Sequence, residues 1–405
     1  MEVTIERILP GGLGLAHADG QTVMVALAAP GDRLRVRIER VKGSVTFASI
    51  EEIIEPSPDR IEPPCPYFGR CGSCDFQQMN YEAQLAAKKE IVRDCLHRIA
   101  KIDVPDFQIV AAPNQWHYRS RAQWQYDAQA KRLGYFESGS RRVCDVAECA
   151  VLVPELQLTL EHLRAEMADD LLADDARYFR AIAGDDSAVV AAGFERSHRL
   201  APRPPPAHDN SASVEEASRE VTRTIAGETY RLGAESFFQT NVDLLPQLIG
   251  EAIGKEHGDT AIELYCGVGL FTVPLARRFK DVSAVEDDAE AAEFARQNLA
   301  HADLSNAEVE KSDVGNWLAS NEHNPRFTSL DFVLLDPPRA GAESRVISGI
   351  LKLRPKRLCY VSCDPATLAR DLRKIIAGGY SLDSILAFDM FPQTHHVETV
   401  VHLSG

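Results

Sequence analysis

The first 55 residues alternate between apolar and polar positions in four short runs. Turns such as PGGLG and APGD separate these runs, which are VTIERIL, TVMVALA, RLRVRIERV and VTFASIEEII. Alternation with a period of two puts the apolar side chains on one face of a strand, and glycine and proline interrupt strands. The pattern predicts a small, OB-like β-barrel over residues 1–56.

A proline-rich segment, EPSPDRIEPPCP, follows the predicted barrel, and its prolines exclude regular structure. Beyond it the apolar residues recur at helical spacing, which predicts one helix over residues 81–100 that packs on the C-terminal domain. They are Leu85, Ile91, Val92, Leu96 and Ile99. A mixed pattern over residues 105–230 ends in a proline-, serine- and alanine-rich stretch, 200–221, which predicts a mobile loop. We assign residues 57–232 to a central α+β domain.

From Thr260 onward, short apolar runs alternate with helical patterns. The runs are TAIELYCG, VSAVED, DFVLLDPP and RLCYVSC. This alternation is typical of a parallel sheet with helices on both faces, so residues 233–405 are predicted to form an α/β domain of the Rossmann-like type. The whole chain is then a multidomain α/β protein. Ligands of such sheets bind at the carboxyl ends of the strands, where the candidate site residues lie.

Composition limits the class of the protein. The chain has 405 residues, of which 45% are hydrophobic, so it can bury several cores. Its start lacks a basic segment followed by an apolar run, and no window approaches the ~20 apolar residues of a membrane helix. We therefore expect a cytoplasmic protein with no membrane partner. The nine irregularly spaced cysteines are expected to be thiols or metal ligands rather than disulfides.

The net charge of −16 argues against a nucleic-acid partner, but the charge is unevenly distributed. Residues 33–42 contain five basic side chains and one acidic one, and Arg33, Arg35 and Arg37 would share one face of a strand. Residues 117–142 mix six arginines and lysines with five aromatic residues. Such a mixture suits single-stranded RNA, although each stretch alone is also compatible with an ordinary solvated strand face.

Three strand ends carry residues suited to a nucleotide-like cofactor. The first is followed by Gly267 and Gly269, which let the backbone approach a ligand closely, and the second ends at Glu286, a possible acceptor for ribose hydroxyls. The third ends at Asp336, in LLDPPR. The third glycine of the dinucleotide fingerprint is missing, so an oxidoreductase is disfavoured. Together the three ends resemble class I S-adenosylmethionine-dependent methyltransferases.

Cys363 directly follows the strand-like run RLCYV and precedes the helical pattern TLARDL. A helix N-terminus favours the anionic form of a thiol. Such a thiolate would solve the problem of methylating carbon 5 of uracil, because its addition to carbon 6 supplies the electron density that carbon 5 lacks. Glu398 is the carboxylate available on the last strand to remove the carbon 5 proton. A cysteine in this position is more often a small buried hydrophobe, and only the surrounding motifs favour catalysis.

Five segments closely resemble the RNA uracil-5 methyltransferase family: ESFFQTN, LYCGVGLF, LLDPPRAG, YVSCDPATLARDL and DMFPQTHHVETV. The resemblance implies that Cys363 is the nucleophile and Glu398 the base. It also implies a TRAM domain, an RNA-binding module, at the N-terminus. The residues assigned to cofactor and active-site contacts are Gln239, Tyr265, Gly267, Gly269, Glu286 and Asp336.

Four other cysteines form a candidate metal site: Cys65, Cys71, Cys74 and Cys149. Their spacing alone suits either zinc or an iron–sulfur cluster. The family resemblance implies a four-iron four-sulfur (4Fe–4S) cluster in the central domain, with Cys149 as the fourth ligand. Cys144 is the alternative fourth ligand, and the spacing typical of radical enzymes is absent.

The resemblance implies an S-adenosylmethionine-dependent enzyme that acts on RNA as a monomer, with 23S ribosomal RNA favoured over the T-loop of transfer RNA. A metal-bearing RNA-binding protein without catalysis is the rival hypothesis. It needs neither Cys363 nor Glu398. Amino-group methylation, which the DPP turn also suggests, needs no nucleophilic thiol, and its motif usually has an aromatic residue where this chain has Arg339.

Overall fold

The computed structural model describes residues 1–194, 201–203 and 220–405. The predicted loop over residues 200–221 lies outside this range except for 201–203 and 220–221, which belong to strands. Among the described residues, no helix combines the length and the apolar character that a membrane span requires.

The N-terminal domain is a six-stranded sheet in the order β1-β5-β6-β4-β3-β2. The segment from Glu2 to Ile8 pairs with β5 at its start and with β3 at its end, and this closes the sheet into a barrel. The third strand falls in a stretch that the sequence pattern assigned to a turn, GGLGLAH. The strands are β1 (Glu2–Thr4), β2 (Arg7–Ile8), β3 (Gly14–Ala18), β4 (Gln21–Val25), β5 (Arg33–Lys42) and β6 (Val45–Glu55).

Strand β5 alternates as its sequence predicts, with Leu34 and Val36 buried in the barrel and the arginines between them exposed. Each of these arginines pairs with glutamate. Arg33 contacts Glu2 and Glu55, Arg35 contacts Glu2 and Glu52, and Arg37 contacts Glu39. This basic stretch is therefore locally neutralised, which the count of basic residues did not reveal.

Asp32 fixes the barrel to the segment that follows it. Its carboxylate is fully buried and accepts hydrogen bonds from the backbone amides of Ala29 (2.6 Å) and Ser57 (2.9 Å). The Arg60 guanidinium donates to the same carboxylate at 2.6 Å. A buried charge that loses its partner is left uncompensated. Movement of the barrel away from the central domain would separate Asp32 from Arg60, so this contact holds the two in one arrangement.

The helix predicted over residues 81–100 consists of α1 (Tyr81–Cys95) and a π-helical turn (Leu96–Ala100). Asn80 caps its start, since the side-chain oxygen accepts from the Ala83 amide at 2.9 Å. Lys101, with φ of 62°, ends it. The apolar face packs into the core of the C-terminal domain through Val92, Cys95, Leu96 and Ala100.

The central domain contains an antiparallel sheet in the order β10-β9-β8-β11-β12-β13, covered by α2 (Pro154–Ala168). A separate hairpin, β14-β15, leads into the C-terminal domain. The strands are β7 (Ile109–Val110), β8 (Arg121–Asp127), β9 (Arg132–Phe136), β10 (Val143–Asp145), β11 (Ala176–Ala183), β12 (Ala188–Phe194), β13 (Ala201–Arg203), β14 (Glu220–Ile225) and β15 (Glu228–Gly233).

The C-terminal sheet has eight strands in the order β18-β17-β16-β19-β20-β22-β21-β7, and β7 comes from the central part of the chain. Strand β22 runs antiparallel to both of its neighbours, β20 and β21. The remaining strands are β16 (Gly258–Leu264), β17 (Phe279–Glu286), β18 (Ala307–Lys311), β19 (Phe332–Leu335), β20 (Arg357–Ser362), β21 (Ser381–Phe388) and β22 (Glu398–Ser404).

Helices cover both faces of this sheet, as the alternation of strands and helices predicts. The order of the strands reverses at β16, whose neighbours are β17 and β19, and such a switch creates a crevice at the carboxyl ends. The helices are α3 (Leu245–Ile253), α4 (Thr272–Ala276), α5 (Ala289–His301), α6 (Val314–Asn321), α7 (Ser344–Leu353) and α8 (Pro365–Ala377).

Candidate active site

A cleft of about 880 Å³ lies at the carboxyl ends of β16, β17, β19 and β20. Residues of the central sheet, including Arg121 and Tyr135, form part of its wall. Its volume lies within the range of sites that enclose a cofactor-sized ligand. Seven predicted site residues line it: Gln239, Tyr265, Gly267, Glu286, Asp336, Cys363 and Glu398.

The turn after β16 brings backbone close to the ligand space. Gly267 has φ of 55°, and its amide donates to Glu286 Oε2 at 2.9 Å. Glu286 Oε1 accepts from the Asp288 amide at 2.8 Å, so two backbone groups hold this carboxylate at the end of β17. Gly269 is buried instead against α5, where a Cβ would lie 3.4 Å from Ala295. It supports the turn but does not line the cleft, contrary to the assignment of both glycines to cofactor contacts.

Cys363 and Glu398 face each other across two strands. Ser362, the last residue of β20, pairs with Thr399 of β22 in antiparallel register. The next pair in that register is Cys363 and Glu398, and both line the cleft. The register thus brings together two residues separated by a helix and a strand in sequence.

Three acidic groups share this space: the carboxyl groups of Asp336 and Glu398 and the thiol of Cys363. Burial raises the pKa of Asp336 to about 7, although the Gln239 amide, 3.5 Å from its Oδ2, acts in the opposite direction. Burial and the neighbouring Asp336 raise the pKa of Glu398 well above its ordinary value, and Arg339 opposes this shift. Neither carboxylate oxygen of Glu398 has a hydrogen-bond partner among the described residues. A buried carboxyl group without a partner is costly, so a ligand group is the natural partner for it.

The Cys363 thiol lies between the end of β20 and the start of α8, where the Asp364 side chain caps the helix. Burial raises the pKa of this thiol to about 12, and the charges of Glu398 and Asp336 act in the same direction. The helix N-terminus was expected to favour the thiolate. Desolvation and the acidic neighbours raise the pKa of the thiol instead.

Several cleft residues were not predicted individually. Arg119, Arg121 and Tyr135 line the wall and come from the basic, aromatic stretch 117–142, which was the available signal for them. Phe237 lies at the mouth with 61% of its surface exposed, unusual for a phenylalanine. Arg339, which follows the DPP turn, is the third arginine of the cleft.

The four predicted metal ligands meet at a second, smaller cavity. Cys65, Cys71, Cys74 and Cys149 all line it, whereas Cys144 does not. Cys144 lies on β10 and its sulfur accepts a hydrogen bond from Arg70 Nε at 3.3 Å. In the described part of the chain, no three His, Cys, Asp or Glu side chains converge closely enough to hold a single metal ion. Ser73 and Tyr135 line both this cavity and the cleft, so the two are neighbours.

Glu263, near the end of β16, is a further buried acid that sequence analysis missed. Its carboxyl group accepts from the Thr272 hydroxyl at 2.5 Å, and burial raises its pKa from 4.5 to about 8. A group whose pKa is higher in the folded state binds its proton more tightly there. The free energy of unfolding therefore falls as pH rises through the window from about 4.5 to 8.

We predict that Glu263→Gln, which stays neutral and keeps an acceptor for Thr272, is more stable than wild type at pH 8 but not at pH 5. The expected gain is on the order of a few kcal/mol. Urea denaturation at both pH values measures it, with the exposed Glu310→Gln as the matched control. An equal difference between wild type and Glu263→Gln at both pH values would contradict this origin.

The geometry of the cleft agrees with the known activity of proteins that are similar in sequence and structure. A family model described as tRNA (Uracil-5-)-methyltransferase matches residues 214–405, and a TRAM domain model matches residues 1–50. The 23S rRNA (uracil(1939)-C(5))-methyltransferase RlmD of Pseudomonas putida is 31% identical, over 98% of this chain and 92% of that protein. An uncharacterized RNA methyltransferase of Halalkalibacterium halodurans is also 31% identical, over 100% of this chain and 96% of that protein.

A solved structure covers the whole chain as well. The Pyrococcus abyssi tRNA (uracil-54, C5)-methyltransferase, in complex with S-adenosyl-L-homocysteine, has a TM-score of 0.74 and 25% identity, and each chain covers 100% of the other. This chain thus combines a cleft at the strand ends, a cysteine beside it and an N-terminal barrel. The similar proteins named above match nearly its full length and are RNA methyltransferases. The chain belongs to the RNA uracil-5 methyltransferase family, whose members transfer a methyl group from S-adenosylmethionine to carbon 5 of uridine in RNA.

Proposed function

We propose that this chain methylates carbon 5 of a uridine in 23S ribosomal RNA through a covalent bond between Cys363 and the uracil ring. The pairing of Ser362 with Thr399 carries this proposal, because it sets a thiol and an unpartnered carboxyl group opposite each other in one cleft. S-adenosylmethionine supplies the methyl group on a positively charged sulfur. Gln239, Tyr265, Gly267, Glu286 and Asp336 line the part of the cleft assigned to this cofactor.

The first step is addition of the Cys363 sulfur to carbon 6 of the uracil. The thiol must lose its proton, and Asp336, whose carboxyl group lines the same cleft, is the acceptor that we assign to it. The new bond pushes an electron pair toward carbon 5, which then bonds to the methyl group. The bond from the methyl group to the sulfonium sulfur breaks, its electron pair stays on that sulfur, and S-adenosylhomocysteine is the leaving group. Carbon 5 now carries both the methyl group and its original proton.

The second step releases the enzyme. Glu398 takes the carbon 5 proton, the electron pair forms the double bond between carbons 5 and 6, and the bond from carbon 6 to sulfur breaks. The high pKa of Glu398 makes its carboxylate a stronger base than an exposed glutamate. The acceptor of the thiol proton and the base for the carbon 5 proton are thus two different carboxyl groups.

The two roles give a direct test. Cys363→Ala should bind RNA but form neither the adduct nor methylated product, whereas Glu398→Gln should transfer the methyl group and accumulate as a covalent adduct with methylated RNA. In wild type, 5-fluorouridine at the target should trap a similar adduct, because fluorine does not leave as a proton does. Denaturing electrophoresis with a radiolabelled methyl donor reports the adduct and the methyl group together.

Cys359→Ala is the matched control, since Cys359 lies buried on the same strand but does not line the cleft. It should trap 5-fluorouridine RNA as wild type does. A labelled adduct with Cys363→Ala would assign the nucleophile elsewhere, and normal turnover by Glu398→Gln would require another base.

We propose further that Cys65, Cys71, Cys74 and Cys149 hold a four-iron four-sulfur cluster in the central domain. Their sulfurs border one cavity that also contains apolar Val151. Ligands of a cluster bind different irons, and four cysteines around one cavity suit this arrangement. Burial raises the pKa of Cys74 and Cys149, and the Arg119 guanidinium partly opposes this shift. The cluster would join segments distant in sequence.

Anaerobically purified protein should be brown and contain about four irons per chain, with labile sulfide. Cys149→Ser should lose most of the iron, because it removes one of four ligands. Cys144→Ser should retain it, since Cys144 bonds Arg70 instead of lining the cavity. Stoichiometric zinc without sulfide, or iron loss only in Cys144→Ser, would reject this assignment.

The choice of ribosomal RNA rests on the ribosomal RNA methyltransferases among the relatives, which match nearly the whole chain. The similar structure that covers the chain is a transfer RNA enzyme, so transfer RNA is the alternative substrate. We further propose that the enzyme acts as a monomer in the cytoplasm. Mass spectrometry of 5-methyluridine with and without the gene should show a loss confined to 23S ribosomal RNA. A loss confined to transfer RNA would overturn this choice.

A further inference from the structure

The segment that joins β21 to β22, residues 389–397, is held from outside its own domain. It leads directly into Glu398, and one of its residues, Phe391, lines the cleft. Several of the bonds to it come from residues 75–88, about 300 positions earlier in the chain. We call residues 389–397 the base loop.

Lys88 forms the centre of these contacts. Its side chain on α1 is fully buried, as is Asp389, and its ammonium group bonds to the Asp389 carboxylate. The same ammonium group donates to the Phe391 carbonyl at 2.9 Å. The Tyr81 hydroxyl donates to Asp389 Oδ2 at 2.8 Å and accepts from the Ala112 amide. Both oxygens of Asp389 are therefore engaged by α1.

Two further contacts hold the rest of the base loop. Gln84 and Gln393 bond reciprocally, each at 3.0 Å, and the Tyr118 hydroxyl donates to the Pro392 carbonyl at 2.9 Å. The Asp75 carboxylate accepts from the His395 backbone amide at 2.9 Å and lies 2.5 Å from its Nδ1. The loop is thus fixed at several points between Asp389 and His395.

Glu398 itself has no such fixation. Its two oxygens lack hydrogen-bond partners among the described residues, so its position depends on its backbone and packing. Its backbone pairs with Phe388 of β21, and the base loop joins these two residues. A buried ion pair such as Lys88–Asp389 often adds little stability compared with apolar residues of similar volume. The geometry that this ion pair imposes on the base loop then explains its presence better than stability does.

We infer that Lys88 and Asp389 are positioning residues for the removal of the carbon 5 proton. By holding Asp389 and the Phe391 carbonyl, Lys88 fixes the base loop and with it the reach of Glu398 toward carbon 5. This inference rests on the proposed function, which gives Glu398 that step. The step it controls is elimination: the proton passes to Glu398, the double bond between carbons 5 and 6 forms, and the sulfur of Cys363 leaves carbon 6.

The test is the double variant Lys88→Met with Asp389→Asn. It removes both charges but keeps similar volumes and an acceptor for the Tyr81 hydroxyl, so no buried charge is left alone. We expect the methyl group to be transferred but the release of product to slow by about tenfold or more, since small displacements of catalytic groups have effects of this size. Adduct with labelled, methylated RNA should accumulate, while KM for RNA stays within about twofold.

Two other variants complete the design. Tyr81→Phe removes one donor to Asp389 and leaves both charges, and it should accumulate the same adduct to a smaller extent. It decides the question if the double variant does not fold, as judged by circular dichroism. Tyr380→Phe removes a buried hydroxyl of comparable geometry, which donates to the Pro355 carbonyl at 2.6 Å far from the base loop. It should release product like wild type.

A purely structural role predicts a different result. Methyl transfer and release would then fall together with the folded fraction, no adduct would accumulate, and Tyr380→Phe would behave like Tyr81→Phe. Either that pattern or wild-type release by a folded double variant overturns the inference. Failure of the proposed function is distinguishable, because wild type would then form no adduct with 5-fluorouridine RNA and Glu398→Gln would not accumulate one.

Discussion

The desolvation of acidic groups in one cleft is the constraint on which the site depends. Burial raises the pKa of both Asp336 and Glu398, and the Asp336 charge raises the pKa of Glu398 further. The same environment raises the pKa of the Cys363 thiol. A positively charged ligand relieves all three penalties at once, because it favours the ionised form of each group. The cleft is thus prepared electrostatically for a cation such as a sulfonium.

The antiparallel direction of β22 brings Glu398 to this cleft. If β22 were parallel to β20, its start would lie at the opposite edge of the sheet from Cys363. Because it is antiparallel, its first residue, Glu398, lies at the same edge as the last residue of β20. The base loop must therefore cross the carboxyl edge of the sheet, where it meets α1 and the segment around Asp75. The central part of the chain is in this way a structural component of the catalytic domain.

Local sequence patterns predicted much of the fold but little of its long-range electrostatics. The alternation of apolar and polar residues predicted the strand faces of β5 and the parallel sheet, since both depend on neighbouring residues. Strand β3 was missed because it begins at the last glycine of the PGGLG turn and directly follows the other glycines of that turn. The pairing of Arg33 and Arg35 with glutamates of other strands, and of Lys88 with Asp389, depends on contacts between distant segments, which no local period reports. The high pKa of Cys363 was missed for the same reason.

The acidic net charge of −16 is compatible with an RNA substrate once the individual charges are located. Arg33, Arg35 and Arg37 of β5 are paired with glutamates, so these three add little to the local potential. Arg339 in the cleft differs, because it forms no ion pair with a carboxylate of the described residues. By contrast, Arg119 lies beside Tyr118 and Tyr135, and Arg121 donates to the Glu235 carbonyl. Affinity for phosphate depends on cations that are free to exchange small ions for a phosphate group. The cleft therefore offers Arg339 to a phosphate group of RNA, while an acidic surface elsewhere disfavours binding outside the cleft.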